Sequence, residues 1–312
     1  MKKHPLKYIK AYGIKLYFCE AIILFLNKFK IAKNTKEKLV IKKNKIIVSW
    51  LENNYKKLIE KYANIKIRPQ KNSNKIWIFW WQGNKQMPEL VKICIESIKR
   101  NISNKEIILL SKENISNYIE LPQYILEKFE TGKIGTAHFS DIIRVGLLKE
   151  YGGTWIDATI YLSKKISNKE FEKIKTIKFK CNDNTSISNG LWCCFFLNGI
   201  NNKLYSFLYE FYLKYWEKED IIIDYFLLDF MIKIAYQHFP EVKKDIDNNK
   251  YNNEQIHKLA SLLNSQFNQD EYETLLESNF IHKLSYKIEL QEKINNQPTY
   301  WGIIKNGGYD EK

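Results

Sequence analysis

The chain has little cysteine, and none of it is paired for chemistry: Cys19, Cys94, Cys181, Cys193 and Cys194 make an odd total with no CxxC. Reduced thiols in a cytosolic protein fit that better than a disulfide framework does. The five histidines show no zinc spacing such as HExxH. A long apolar run is also missing. The longest, Leu16–Leu26, covers eleven residues and contains Glu20, against the roughly 20 residues that a bilayer-spanning helix takes. The small-residue cleavage pattern of a signal peptide is absent too. No internal repeat is visible, nor any low-complexity tract beyond a lysine–asparagine bias.

Aromatic residues, by contrast, are abundant. With 8 Trp, 20 Tyr and 17 Phe in 312 residues, the chain can fill a core and stack on planar or sugar ligands. The net charge of +15 is unevenly spread: residues 1–75 hold 20 Lys/Arg against 4 Asp/Glu, and the remainder 30 against 31. Nucleic acid, an anionic membrane surface or an acidic polymer would each attract such a basic segment, although AT-rich coding also favours lysine and asparagine. Two readings fit the apolar, lysine-flanked stretch 6–30: a helix lying on an anionic membrane surface, or one packed on the main domain with its lysines in water. Helical spacing continues to residue 63, and RPQKNSN (68–74) reads as a linker.

From Lys75 the texture changes. KIWIFWWQG reads as a buried strand, ELVKICIESIKRN as a helix, EIILLS as a second strand and KENISNYIELP as helical again. This alternation predicts an α/β fold with parallel strands and a site at their C-terminal ends. Further along, FEKIKTIKFKC and SISNGLWCCFFLNGIN are expected to hold strands. Residues 201–217, 220–238 and 253–278 read as helices, and HKLSYKIEL as a last short strand or loop.

The stretch from His138 to Leu162 organises the rest. Asp141 and Arg144 share one face of a predicted helix, and Gly152-Gly153 ends it. TWIDATIYL then alternates as a strand, with Trp155, Asp157, Thr159 and Tyr161 on one face. By itself an i,i+3 acid–base pair is as readily a structural ion pair as a site.

Together, SDIIRVGLLKEYGGTWIDATI and the upstream KIWIFWWQG resemble the bacterial capsular polysaccharide synthesis proteins. Those are similar to the DxD-type sugar transferases of glycosyltransferase family 32. The resemblance covers roughly residues 75–165 and thins out toward the C-terminus. It implies a GT-A-like fold over 75–312, with a mostly parallel central sheet and additional helices; the basic helical segment at 1–74 lies outside it. It also implies a nucleotide-sugar donor, UDP-sugar favoured, and a divalent cation, Mn²⁺ or Mg²⁺.

Carried over residue by residue, Asp141 and Arg144 match S-D-x-x-R as donor contacts, with Gly153 of the turn beside them, and Asp157 matches the first Asp of D-x-D. The second Asp falls on Thr159, which offers a neutral hydroxyl where a metal prefers a carboxylate. Lys283 and Lys287 would then meet the diphosphate charge, and His282 is a possible second metal ligand beside Asp157; an ordinary surface cluster is the plainer reading. Trp80, Trp81 and Gln82 are expected against the nucleotide, although core packing explains tryptophans equally well. Asn189 is expected at the sugar pocket or in a simple turn. Asp224, on an apolar helix, is the acceptor-side acid or a harmless cap, and Asp229 is read as a harmless cap or exposed acid.

The resulting expectation is a cytoplasmic glycosyltransferase, retaining by resemblance. It would be peripheral at the inner face of the membrane through residues 1–45 and act on a glycan or lipid-linked oligosaccharide in capsular or cell-surface polysaccharide synthesis. No nucleic acid is expected. The competing readings are a nucleic-acid- or membrane-binding protein that works through its basic arm, and a donor-binding pseudoenzyme.

Overall fold

The computed structural model describes residues 5–67, 73–199, 203–249 and 253–307. The chain begins with four helices, α1 (Pro5–Tyr12), α2 (Ile14–Phe29), α3 (Lys33–Asn54) and α4 (Lys56–Asn64). Most of the linker expected at 68–74 lies outside the described residues. Then β1 (Lys75–Phe79), α5 (Glu89–Asn101), β2 (Glu106–Leu110), α6 (Gln123–Glu130), α7 (Thr136–Glu150) and β3 (Thr154–Ile156) follow in order. After these come β4 (Ile160–Leu162), α8 (Asn168–Lys173), β5 (Phe196–Asn198), α9 (Lys203–Lys218) and α10 (Leu227–His238). Shorter helices lead on to β6 (Ile281–Lys283) and the C-terminal region.

The central sheet has the order β2–β1–β3–β5, with β1 parallel to both β2 and β3 and β5 antiparallel at the edge. Both faces of β1 are covered, which is why its sequence is a continuous apolar run instead of an alternating one. Trp77 and Phe79 point into one core with α7, α9 and α10, while Ile76 and Ile78 point into a second with α5, β4 and β6. The fold is therefore a layered α/β arrangement with a mostly parallel sheet, consistent with a GT-A-like architecture. Tyr8, Leu16, Leu51 and Tyr55 belong to the first core, so the basic N-terminal helices pack directly on α9 and α10.

Three local expectations are corrected. TWIDATIYL is not one strand: β3 ends at Ile156, the chain turns through Asp157–Thr159 with the Ile160 N–H donating to the Asp157 carbonyl, and β4 leaves to pair with β6. Trp155 and Tyr161 are consequently core residues, not members of a polar face. Residues 171–181 form no strand beyond an isolated bridge at Thr176, and α8 takes their beginning. Asp224 lies in the loop before α10 instead of on a helix.

The Gly152-Gly153 turn does end α7, with φ of 66° and 85°. A Cβ on Gly153 would sit 2.5 Å from the Lys75 carbonyl oxygen, so the turn lets β3 lie against β1. The Trp77 indole N–H donates to the Gly152 carbonyl at 2.9 Å, closing the same turn from the sheet. Gly153→Ala should therefore cost about 2–3 kcal/mol in urea unfolding, from left-handed strain plus the clash. Gly132→Ala, at φ 72° with nothing within 4 Å, should cost only about 1 kcal/mol; equal losses would mean that the approach to β1 plays no part.

Candidate active site

An open cavity of about 1060 Å³ lies beyond the C-terminal ends of β1 and β3. Its centre is Asp157, the first residue after β3, whose N–H donates to the Phe195 carbonyl of the neighbouring chain segment at 2.9 Å. Arg144 reaches it from α7, Nη2 to Oδ1 at 3.0 Å, and Lys283 reaches it from the end of β6, Nζ to Oδ2 at 2.6 Å. The Trp155 indole N–H also donates to Oδ1, at 2.8 Å.

Arg144 is held in turn. It pairs with Asp141 at 3.1 Å, donates to the Cys194 carbonyl at 2.7 Å, and lies 4.9 Å above the Trp155 ring. Asp141 accepts from the Tyr212 hydroxyl of α9 at 3.4 Å and lies 3.7 Å from the His138 imidazole one helical turn back. The i,i+3 pair read from sequence is thus one side of a buried network.

The electrostatics follow from this geometry. Burial alone would raise the pKa of Asp157, but the charges of Lys283 and Arg144 and the hydrogen bonds from Lys283 and Trp155 bring it down to about 2. Burial works against the charge on Arg144, yet the two carboxylates outweigh it and raise its pKa above the ordinary arginine value. Asp229, on the first turn of α10, forms no ion pair with a cation among the described residues. It accepts from the Trp192 indole N–H at 3.1 Å and from the Cys194 thiol. Desolvation, with the Asp141 charge adding to it, pushes its pKa up to about 6.

Among the expected site residues, Trp80, Trp81, Gln82, Asp141, Arg144, Asp157, Thr159, Lys283 and Lys287 all line the cavity. Trp80 packs edge-on against Tyr286 at its mouth, and Trp81 against Phe129 and Phe139. Four others do not line it. Gly153 serves the turn against β1, and Asn189 is an exposed left-handed residue beside the lining Ser186–Ser188. Asp224 is paired with Lys43 at 2.6 Å and caps the Phe226 N–H.

The fourth is His282. It alternates with Lys283 along β6 and is fully buried on the opposite side, within reach of Ser163 at 3.1 Å, its pKa lowered by burial to about 3. Asp229 is the acid that sequence reasoning set aside. Its signal, a carboxylate one turn into an aromatic helix, is the same as that of Asp224, and only the fold distinguishes them.

A divalent cation does not fit this donor set. Hard cations take several oxygen ligands, commonly carboxylates. Here Asp157 already faces two cationic side chains and an indole N–H, Thr159 stands where a second acid would be, and the described residues contain no cluster of three metal-ligating side chains.

The two shifted acids predict opposite pH behaviour. Asp229 is raised, so its contribution to stability is complete below about pH 4 and is lost as pH rises through about 6. Asp157 is lowered, so its contribution is present above about pH 4 and lost as pH falls through about 2. In thermal unfolding series, Asp229→Asn should gain on wild type as pH climbs from about 4 to 8, and Asp157→Asn should fall behind as pH climbs from about 2 to 4. Parallel curves would contradict the assigned environments.

Comparison with known proteins gives the site its setting. Residues 27–302 match the family model for capsular polysaccharide synthesis proteins. Over 116 residues the chain is 28% identical to the O-glycosyltransferase braB of Annulohypoxylon truncatum, a match that covers 34% of this chain and 28% of that protein. No solved structure matches the chain. Every cavity-lining residue, from Val40 to Lys287, falls within the matched span, and the chain belongs to the capsular polysaccharide synthesis protein family.

Proposed function

We propose that this chain transfers a sugar from a nucleotide-sugar donor, UDP-sugar favoured, to a hydroxyl of a glycan or lipid-linked acceptor in capsular or cell-surface polysaccharide synthesis. The observation that carries this reading is Asp157, held at the strand end between Arg144 and Lys283 in an open cavity rimmed by aromatic residues. Trp80 and Tyr286 offer aromatic surfaces for the base. With three donors on its oxygens, Asp157 retains capacity to accept from a donor hydroxyl.

Lys283 and Lys287 meet the diphosphate. Lys283 is already aimed into the cavity by its ion pair, so little reorganisation accompanies charge development on the leaving group. In the reaction, the bond from the anomeric carbon to the diphosphate oxygen breaks and one to the acceptor oxygen forms. With retention, as the family resemblance implies, the acceptor approaches on the leaving-group side and its proton passes to the diphosphate oxygen. No protein base is then required, and Asp229 serves as a hydrogen-bond acceptor that orients the incoming hydroxyl.

Because lysine and arginine supply the positive charge, donor binding should not need a metal. UDP-sugar should raise the melting temperature equally in EDTA and in Mn²⁺, and Asp157→Ala should abolish the response. Lys283→Gln should weaken UDP about tenfold in calorimetry, the loss of one charged hydrogen bond. If UDP-, GDP- and CMP-sugars all fail to shift the melting point, the transferase reading fails. A shift that requires Mn²⁺ would overturn only the metal-free part.

A further inference from the structure

We infer that α1 and α2 form a docking face for an anionic lipid bilayer, with the cavity mouth beside it. Along α2, Ile14, Phe18, Ile22, Phe25 and Phe29 recur at steps of four, four, three and four, a single helical stripe. Their side chains are 54%, 55%, 43%, 55% and 53% exposed. The other side of the helix, Leu16, Cys19 and Leu26, is buried. The helix is therefore already seated on the protein by one face and presents a second apolar face to solvent. Eight of the fourteen large apolar side chains exposed among the described residues fall between Leu6 and Ile31, so this is a patch and not ordinary scatter.

The charges say what covers it. Lys15 and Lys28 fall on either side of the stripe, and Lys7, Lys10, Lys30 and Lys33 are exposed around it. The Lys28 ammonium lies 5.8 Å from the Phe29 ring centroid. An aromatic-aliphatic centre with long cationic side chains at its margins suits insertion to the acyl boundary, with ammonium groups among anionic headgroups. Nucleic acid would require the cations at the centre. At 16 residues, α2 is about 24 Å long, and no helix among the described residues is long and apolar enough to cross a membrane. The docked helix lies flat.

The face is coupled to the cavity through two contacts. α3, which packs against α2, lines the cavity with Val40, Lys43 and Asn44. From α1, the Tyr8 hydroxyl donates to the Ile223 carbonyl at 2.8 Å, and the Tyr12 hydroxyl to that of Ile221. Tyr225 and Phe226 follow directly, 62% and 52% exposed, on the cavity wall. Docking on α2 thus places the open cavity close to the membrane, within reach of a lipid-linked hydroxyl; that last step rests on the transferase reading, whereas docking does not.

The test is flotation of the full chain with phosphatidylcholine vesicles, with and without phosphatidylglycerol. Wild type should float only with the anionic vesicles. F18S/F25S should lose at least about tenfold in vesicle affinity while keeping the wild-type melting temperature, since both side chains are exposed, and K15Q/K28Q should lose the preference for phosphatidylglycerol. Failure of wild type to float, or flotation of F18S/F25S like wild type, overturns the proposal. So does sedimentation equilibrium showing a lipid-independent dimer that F18S/F25S dissociates, because the face would then belong to a second copy. Since vesicle binding is read without donor or transfer, its failure is distinct from failure of the proposed activity.

Discussion

The carboxylate of Asp157 is the point at which three separate parts of the chain are tied. Arg144 approaches from α7, Lys283 from β6, and the carboxylate itself is delivered by β3. A partly buried acid of this kind would be expensive alone; two cations and an indole N–H make it an anion with a pKa of about 2. Such pairs are weak evidence for stability, because desolvation offsets much of the attraction. Their value here is positional. They hold Lys283 at the cavity wall and keep Arg144 over Trp155, so that the wall stands ready before any ligand arrives.

The fold makes this possible by ending β3 early. If the chain had continued straight after Ile156, Asp157 would have remained in the sheet and Lys283 would have had no strand to pair with. The turn sends β4 out to β6, and the Leu284 N–H donates to the Thr159 carbonyl at 2.9 Å, fixing the lysine-bearing segment against the turn. The remaining cavity walls come from distant elements: the end of β1, the 183–188 loop, the start of α10, and α3. Among the basic N-terminal helices, α3 is accordingly part of the cavity wall, while α1 and α2 are its candidate link to a membrane.

Much of this was legible in the sequence. β1 and β2 were readable because strands buried on both faces are continuously apolar, and the end of α7 because two consecutive glycines at positive φ have few other uses. Asp141, Arg144 and Asp157 were found because a helix turn and a short glycine turn bring them together locally. The pairing of Lys283 with Asp157 was not legible, since it depends on a strand pairing between segments more than a hundred residues apart. The break after Ile156 was hidden because a buried turn and a buried strand have similar residue composition. Asp224 was preferred to Asp229 in sequence, although both are acids in one aromatic stretch; the fold sets Lys43 beside Asp224 and, among the described residues, no ion-paired cation beside Asp229. His282 looked like a ligand beside two lysines, but strand alternation turns it to the opposite side of β6.

The central claim is that lysine and arginine charge at Asp157, with no divalent cation, receives the donor diphosphate. A crystal structure with UDP, grown in the presence of EDTA, tests this most directly. The account predicts diphosphate oxygens within hydrogen-bond distance of Lys283 and the base beside Trp80. Nucleotide bound outside the cavity, or ordered only when Mn²⁺ bridges it to Asp157, would contradict it.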